Sequence, residues 1–384
     1  MDKTDFDLGA YLNESMATLV KDIVKASFSN PRETAFVARY VLASAEARKR
    51  RERFAAGGED IPAFLIASIT NRCNLSCAGC YARANDARPD VFRKEALSAG
   101  RWAGIFSEAK ELGIPFILLA GGEPFVRKDV LEEAAKVKEI MFPVFTNGTM
   151  IDGEYLEFLD RNRNLVPLLS IEGDEHRTDL RRSEGVYESL MAAMGKLKER
   201  GLLFGVSVTV TTENTAVVTS PQFFGSLYER GCKAAIFVEY VPVAPGTENL
   251  APTEVERAAL ARAQEKLRGL FKDAIFISFP GDEKYSGGCL AAGRGFFHIG
   301  VDGSAEPCPF SPHSDSSLRD VTLREALKSP LFGKLRESGI LTSEHSGGCI
   351  LAGRDADVMA MARPSSSPSP SSSISPSQSP IPIL

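Results

Sequence analysis

The chain has 384 residues, 43% of them apolar and 25% charged, proportions that exclude a disordered chain or a collagen-like fibre. A formal net charge of −5 argues against a general electrostatic grip on nucleic acid or on an anionic membrane surface. Uncharged apolar stretches such as Ile61 to Ile69 are too short to span a bilayer. The acidic start, MDKTDFD, lacks the charged-then-apolar layout of a signal peptide, which predicts a cytoplasmic protein. Seven cysteines, an odd number without such a signal, do not read as a disulfide framework and point to metal binding or redox chemistry.

Residues 1–60 read as a helical extension. Leu19, Val20, Ile23 and Val24 form one apolar stripe, and Phe36, Val37, Tyr40, Val41 and Leu42 form another. The basic run Arg48 to Arg53 is expected to be a solvated helix face. From 61 to 280, apolar runs of strand length alternate with helical patterns. The runs are Ala63–Thr70, Pro115–Ala120, Phe142–Thr146, Val166–Ile171, Leu203–Thr211 and Ala235–Val241. Between the first two, Arg101–Leu112 puts Trp102, Ile105, Phe106, Ala109 and Leu112 on one face, with Ser98 placed as N-cap and Gly113 as the closing glycine. Six β/α units with right-handed crossovers predict a parallel sheet that closes partly or wholly into a barrel. Ligands then sit at the C-terminal ends of the strands.

From about 285 to 350 the chain turns to glycine, cysteine and short β-like runs such as Phe296–Val301, followed by one helical stretch, Leu323–Glu337. Residues 364–384 are almost entirely Ser, Pro and Ile and read as a disordered tail.

The most informative segment runs from Ser68 to Tyr81, where Cys73, Cys77 and Cys80 stand at spacings of four and three directly after the first strand. Such a loop can bind three irons of a 4Fe–4S cubane and leave the fourth open, whereas a zinc site usually wants four ligands in pairs. The second strand ends in Ala120-Gly121-Gly122-Glu123-Pro124, where two glycines let a ligand approach the backbone closely. The pairing of C-x3-C-x2-C with this GGEP segment resembles the radical S-adenosylmethionine (radical SAM) enzymes.

The resemblance implies a fold and a site. The fold is α/β: a partial (β/α)6 TIM-like barrel over 61–280, with the N-terminal helical extension and a small C-terminal α+β domain of the twitch/SPASM type over 281–355. Cys73, Cys77 and Cys80 would hold the catalytic 4Fe–4S cluster. Gly121, Gly122, Glu123 and Pro124 would receive the amine of S-adenosylmethionine, and Tyr81 would lie near its adenine. Asn147 and Ser170, at the ends of the third and fourth strands, and Arg182 just beyond would complete the cofactor site. On the fifth and sixth strands, Val208, Thr209, Glu239 and Tyr240 face the cavity in one of two registers.

Cys289, Cys308 and Cys349 form a second set. Cys289 and Cys308 flank a hairpin turning at Asp302-Gly303, and the spacing resembles the opening and closing cysteines of twitch/SPASM appendages. Those hold auxiliary iron–sulfur clusters. The central cysteine run of a full SPASM domain is missing, so the resemblance implies one auxiliary 4Fe–4S cluster at most. Its fourth ligand stays open, with His298, His313 and His345 as weak candidates. Cys232 reads as a core residue.

The implied reaction is reductive cleavage of S-adenosylmethionine to a 5′-deoxyadenosyl radical, which abstracts hydrogen from a peptide or small-metabolite substrate. An auxiliary cluster suits a net oxidation, and a donor such as flavodoxin or ferredoxin would supply the electron. Two other readings remain at this stage. One is a radical SAM methyltransferase or rearrangement enzyme with structural C-terminal cysteines. The other is an iron–sulfur redox sensor without turnover.

Overall fold

The computed structural model describes residues 8–28, 30–88, 95–280, 286–343 and 348–363; the Ser/Pro-rich segment and His345 lie outside them. Two helices come first, α1 (Leu8–Ser27) and α2 (Pro31–Ala56). Seven strands follow, β1 (Phe64–Thr70), β2 (Phe116–Gly121), β3 (Phe142–Thr146), β4 (Leu165–Ser170), β5 (Gly205–Val210), β6 (Ala234–Glu239) and β7 (Ile275–Phe279). They are all parallel and in sequential order. The helices between them include α3 (Tyr81–Asp86) and α4 (Ala99–Leu112) after β1, and α5 (Lys128–Lys136) and α6 (Gly153–Arg161) after β2 and β3. α4 begins at Ser98, whose hydroxyl accepts from the Arg101 N–H, and ends at Gly113 with φ 84°, as its flanking residues predict.

Within 61–280 the sheet has one more parallel strand than the six expected. β7 carries an apolar run, Ile275-Phe-Ile-Ser-Phe279, that has no accompanying motif. A second departure concerns the C-terminal region. The hairpin β8 (His298–Ile299) and β9 (Ala305–Glu306) forms around Asp302-Gly303, but it does not build a sheet of its own. β8 pairs in parallel with β1, Ile66 opposite His298, so the hairpin extends the barrel sheet to nine strands. His298 and Glu306, both buried, clasp it there. The His298 ring bonds Ser68 Oγ on β1 at 2.8 Å and Glu306 Oε2 at 2.7 Å. The stretch 323–337 breaks into two helices, Leu323–Ala326 and Pro330–Glu337. Pro330 lacks the N–H that a continuous helix needs and instead opens the second one, capped by Ser329.

The N-terminal helices close the bottom of the barrel. Ile23 and Ala26 of α1 and Phe36, Val37 and Tyr40 of α2 pack on Phe116, Met141, Val166, Leu203 and Ile275, residues at the strand starts. Tyr40 Oη donates to the Pro115 carbonyl at 3.0 Å. The basic run is only partly solvated, contrary to expectation. Arg51 is buried; it donates to the Gly113 carbonyl at 2.5 Å and to Asn13 Oδ1 at 3.1 Å, while Arg50 donates to the Lys110 carbonyl at 2.8 Å. The two arginines satisfy carbonyls left open at the C-terminus of α4, where the helix dipole favours positive charge.

A buried ion pair locks the extension to the barrel. Arg163, between α6 and β4, donates to Glu33 Oε2 of α2 at 2.6 Å, and the two side chains are 7% and 3% exposed. Arg163→Met leaves the Glu33 carboxylate buried without its cation and is expected to cost about 3–5 kcal/mol, read as a fall in the urea midpoint at unchanged slope. A loss below about 1 kcal/mol would show the pair to be dispensable.

Candidate active site

The loop from Asn71 to Cys80 leaves the C-terminal end of β1 and is held from several sides. Gly122 N–H donates to the Thr70 carbonyl at 2.7 Å and Glu123 N–H to the Arg72 carbonyl at 2.9 Å. Ala78 N–H donates to the Arg181 carbonyl at 2.9 Å, beyond β4. Asn147 Nδ2 donates to Asn74 Oδ1 at 2.8 Å, and Asn74 Nδ2 to Thr149 Oγ1 at 2.9 Å. The ends of β2, β3 and β4 thus all fasten the loop. The contact with β2 is so close that a Cβ on Gly121 would stand 2.2 Å from the Thr70 carbonyl oxygen, and one on Gly122 2.2 Å from that of Arg72. Only glycine permits this approach.

The three thiols converge. Burial pushes the Cys73 thiol above its usual value despite the Leu75 N–H that donates to it, and the charges of Glu123, Cys77 and Cys80 act in the same direction. Ionised sulfurs so placed call for a cation. Cys73, Cys77, Cys80, Tyr81, Gly121, Gly122, Glu123, Asn147, Ser170 and Arg182 all line one cavity of about 820 Å³. Pro124 does not; it is buried and opens the short turn after Glu123.

Two of these side chains are also held by the protein itself. Glu123 is 1% exposed and its carboxylate is taken up by the protein. Oε1 accepts from Thr146 Oγ1 at 2.8 Å and from Phe125 N–H at 3.1 Å, and Oε2 from Asn147 N–H at 2.8 Å. Burial raises its pKa, against these three hydrogen bonds. Glu123 therefore ties the end of β2 to that of β3 while lining the cavity. Asn147 is likewise engaged by Asn74 and Thr149 and steadies the cysteine loop.

Ser170 bonds Ser207 across the β4–β5 ladder at 3.0 Å. Arg181 and Arg182 share one acceptor, Glu172 Oε1, at 2.5 and 2.6 Å, and Arg181 also reaches Thr209 Oγ1 at 2.9 Å. Of the residues in question on β5 and β6, Thr209, Glu239 and Tyr240 line the cavity, and Val208 faces the core. Arg181, Phe279 and Phe310 line it too. Phe279 escaped the sequence because its strand did.

The donor set fits an iron–sulfur cluster with a bound amino acid. Three soft thiolate donors suit iron, and beside them lie a side-chain-free backbone edge and a pair of guanidinium groups. Two buried polar atoms, Tyr240 Oη and Glu172 Oε2, have no hydrogen-bond partner; Tyr240 lies against Gly79 of the cysteine loop, its Oη 2.6 Å from where a Cβ there would be. Among the described residues no three His, Cys, Asp or Glu side chains are already closed into a metal-binding group, so the fit is one of position and chemistry.

The second cysteine set is also brought together. Cys289 and Cys308 are buried and Cys349 is half-buried. Burial drives the Cys308 thiol well above its usual value, and its hydrogen bond with Cys349 and the charges of Cys349 and Cys289 add to this. The two described candidate histidines are engaged by other groups. His298 is held by Ser68 and Glu306, and His313 Nε2 by Asp355 at 2.8 Å. Cys232 is fully buried, and its thiol is pushed up to about 12 by burial.

A family model described as the radical SAM superfamily matches residues 67–216. The Fe-coproporphyrin III synthase of Methanosarcina barkeri is 29% identical over 187 residues, 48% of this chain and 45% of that protein. The chain thus spans less than half the length of that relative. The PqqA peptide cyclase of Gluconobacter oxydans is 27% identical over 295 residues, 72% of this chain and 79% of that one. Among solved structures, SuiB of Streptococcus suis bound to the precursor peptide SuiA superposes with a TM-score of 0.62 at 20% identity, covering 84% of this chain and 78% of that chain. The fold is therefore the partial barrel with its C-terminal extension. Among the described residues no helix is long and apolar enough to cross a membrane.

Proposed function

The chain belongs to the radical SAM superfamily, and from that premise we propose that it abstracts hydrogen from a peptide or small metabolite in a net oxidation. The observation that carries this reading is that three thiols, a Gly-Gly edge and an arginine pair all meet on one cavity at the strand ends. When bound, the reduced cluster and S-adenosylmethionine supply a 5′-deoxyadenosyl radical that takes a hydrogen atom from carbon.

The protein's own part is to bind, orient and enclose. Cys73, Cys77 and Cys80 hold the cluster. The backbone of Gly121 and Gly122 takes the amino group, and Arg181 and Arg182, kept in place by Glu172, face the carboxylate. Tyr81, Ser170 and Thr209 border the nucleoside. Hydrogen abstraction needs no general base. Cys289, Cys308 and Cys349 would hold an auxiliary cluster, which would supply an acceptor for the electron left on the substrate. A flavodoxin- or ferredoxin-like donor supplies the electron that starts each turnover. A relative named as a peptide cyclase and a similar fold bound to a precursor peptide support a peptide substrate.

The test is release of 5′-deoxyadenosine after anaerobic reconstitution and reduction with dithionite in the presence of S-adenosylmethionine. Wild type is expected to release it and Cys77→Ala to fall to background. No release from wild type carrying its full iron complement would overturn the proposal in favour of a redox sensor.

A further inference from the structure

The cavity does not end at the cofactor residues. It continues down the barrel to α1, between walls formed by Ile66, Leu118, Phe145, Leu168, Ile236 and Ile277. In a closed eight-stranded barrel such inward side chains interdigitate into a packed core. Here the sheet stays open between its edge strands β7 and β9, and the same layer lines a hollow. Its charged groups lie at the two ends. At the upper end Arg181 and Arg182 are paired with Glu172. At the floor stand the acids Glu14 and Asp22, the latter 2.8 Å from Lys25. Arg268, also near the floor, donates to the Phe276 carbonyl at 2.9 Å. Between these ends the six wall residues named are all aliphatic or aromatic.

We infer that this lower chamber receives an uncharged aliphatic or aromatic side chain of the substrate, and that Met16, Leu19 and Ile23 of α1 set its depth. The inference rests on the reading of the barrel as the catalytic cavity and names the substrate group that it selects. A volume of about 820 Å³ is near the upper end for small-molecule sites, roughly 300–1,000 Å³, which leaves room beside a bound cofactor. A charged group placed at mid-depth would lose its hydration and find no counter-charge, only the hydroxyls of Ser170 and Ser207, which bond each other at 3.0 Å. A carboxylate reaching the floor would meet Glu14 and Asp22, with the neighbouring cations Lys25 and Arg268 already engaged by Asp22 and the Phe276 carbonyl.

The experiment uses the reconstituted holoenzyme with S-adenosylmethionine and two fluorescent probes that share one ring system. N-phenyl-1-naphthylamine is uncharged, and 1-anilinonaphthalene-8-sulfonate adds a single anion. The uncharged probe is expected to bind saturably at one per chain and at least tenfold more tightly than the sulfonate. Ile236→Trp, which fills the chamber, is expected to abolish that binding, whereas Ile236→Val retains it. Absence of saturable binding, equal binding of the two probes, or binding indifferent to Ile236→Trp in a variant with wild-type circular dichroism would each overturn the inference. The probe comparison stands without any variant. A wild type that binds the uncharged probe but never cleaves S-adenosylmethionine would overturn the proposed function and leave the chamber intact.

Discussion

Gly122→Ala is expected to abolish assembly of the catalytic cluster while leaving the barrel folded. The added methyl would stand 2.2 Å from the Arg72 carbonyl oxygen, 2.6 Å from its carbon and 2.9 Å from the Asn71 carbonyl carbon. All three atoms are backbone, so no side chain can rotate away to relieve the clash. Arg72 precedes Cys73 directly, and relief therefore moves the first cluster ligand. The same shift breaks the hydrogen bonds Gly122 N to Thr70 O and Glu123 N to Arg72 O. It also drags on Glu123, whose carboxylate couples β2 to β3. The stability cost of such overpacking is about 1–3 kcal/mol, which a domain of this size survives. A misplacement near 1 Å costs about a hundredfold in rate, so 5′-deoxyadenosine release should fall at least that far. Iron bound after reconstitution should drop by about four per chain. Normal iron and normal release would show that the loop has slack that these contacts do not display.

The sequence made some features legible because they are local. The cysteine loop, the two glycines and the capped helix from Ala99 to Leu112 are each written in one short continuous segment, and each stands where its spacing and caps predict. Pro330 also carried a local signal against one helix over 323–337, since proline disfavours helix at the residue before it. Other features arise only when distant segments meet. Glu123 has the charge that an amine would attract, yet Thr146 and Asn147 claim it from 23 and 24 residues further on. Arg50 and Arg51 belong to a run of exposed-looking cations until the end of α4 arrives with unsatisfied carbonyls. His298 looks like a candidate metal ligand until β8 pairs with β1 and sets it against Ser68. The chamber floor is the extreme case. The apolar stripe of α1 shows that the helix packs on something, but nothing in it shows that it plugs a barrel.

The second expected result concerns the auxiliary cysteines. Changing Cys289, Cys308 and Cys349 together to Ala should lower bound iron from about eight to about four per chain and leave reductive release of 5′-deoxyadenosine in place. The physical argument starts from burial. Three unmetallated thiols are tolerable in a core, since a neutral cysteine behaves as a small apolar residue. The cost appears on ionisation: burial holds the Cys308 thiol protonated, and each neighbouring sulfur makes a second charge harder to bear. A metal reverses the sign of that balance, because thiolates gathered around cationic iron are stabilised where isolated ones are not. The cysteines come from separate parts of the chain, before the hairpin, at its end and at the start of the helix Ile350–Gly353, so a cluster would cross-link segments that short helices otherwise hold. Its loss should therefore lower the thermal midpoint of the reconstituted protein more than that of the metal-free protein. With His298 and His313 engaged elsewhere, neither should supply a fourth ligand, and His313→Ala is expected to leave the iron count at about eight. A wild-type count near four, unchanged in the triple variant, would make the C-terminal cysteines structural and remove the electron acceptor on which a net oxidation depends.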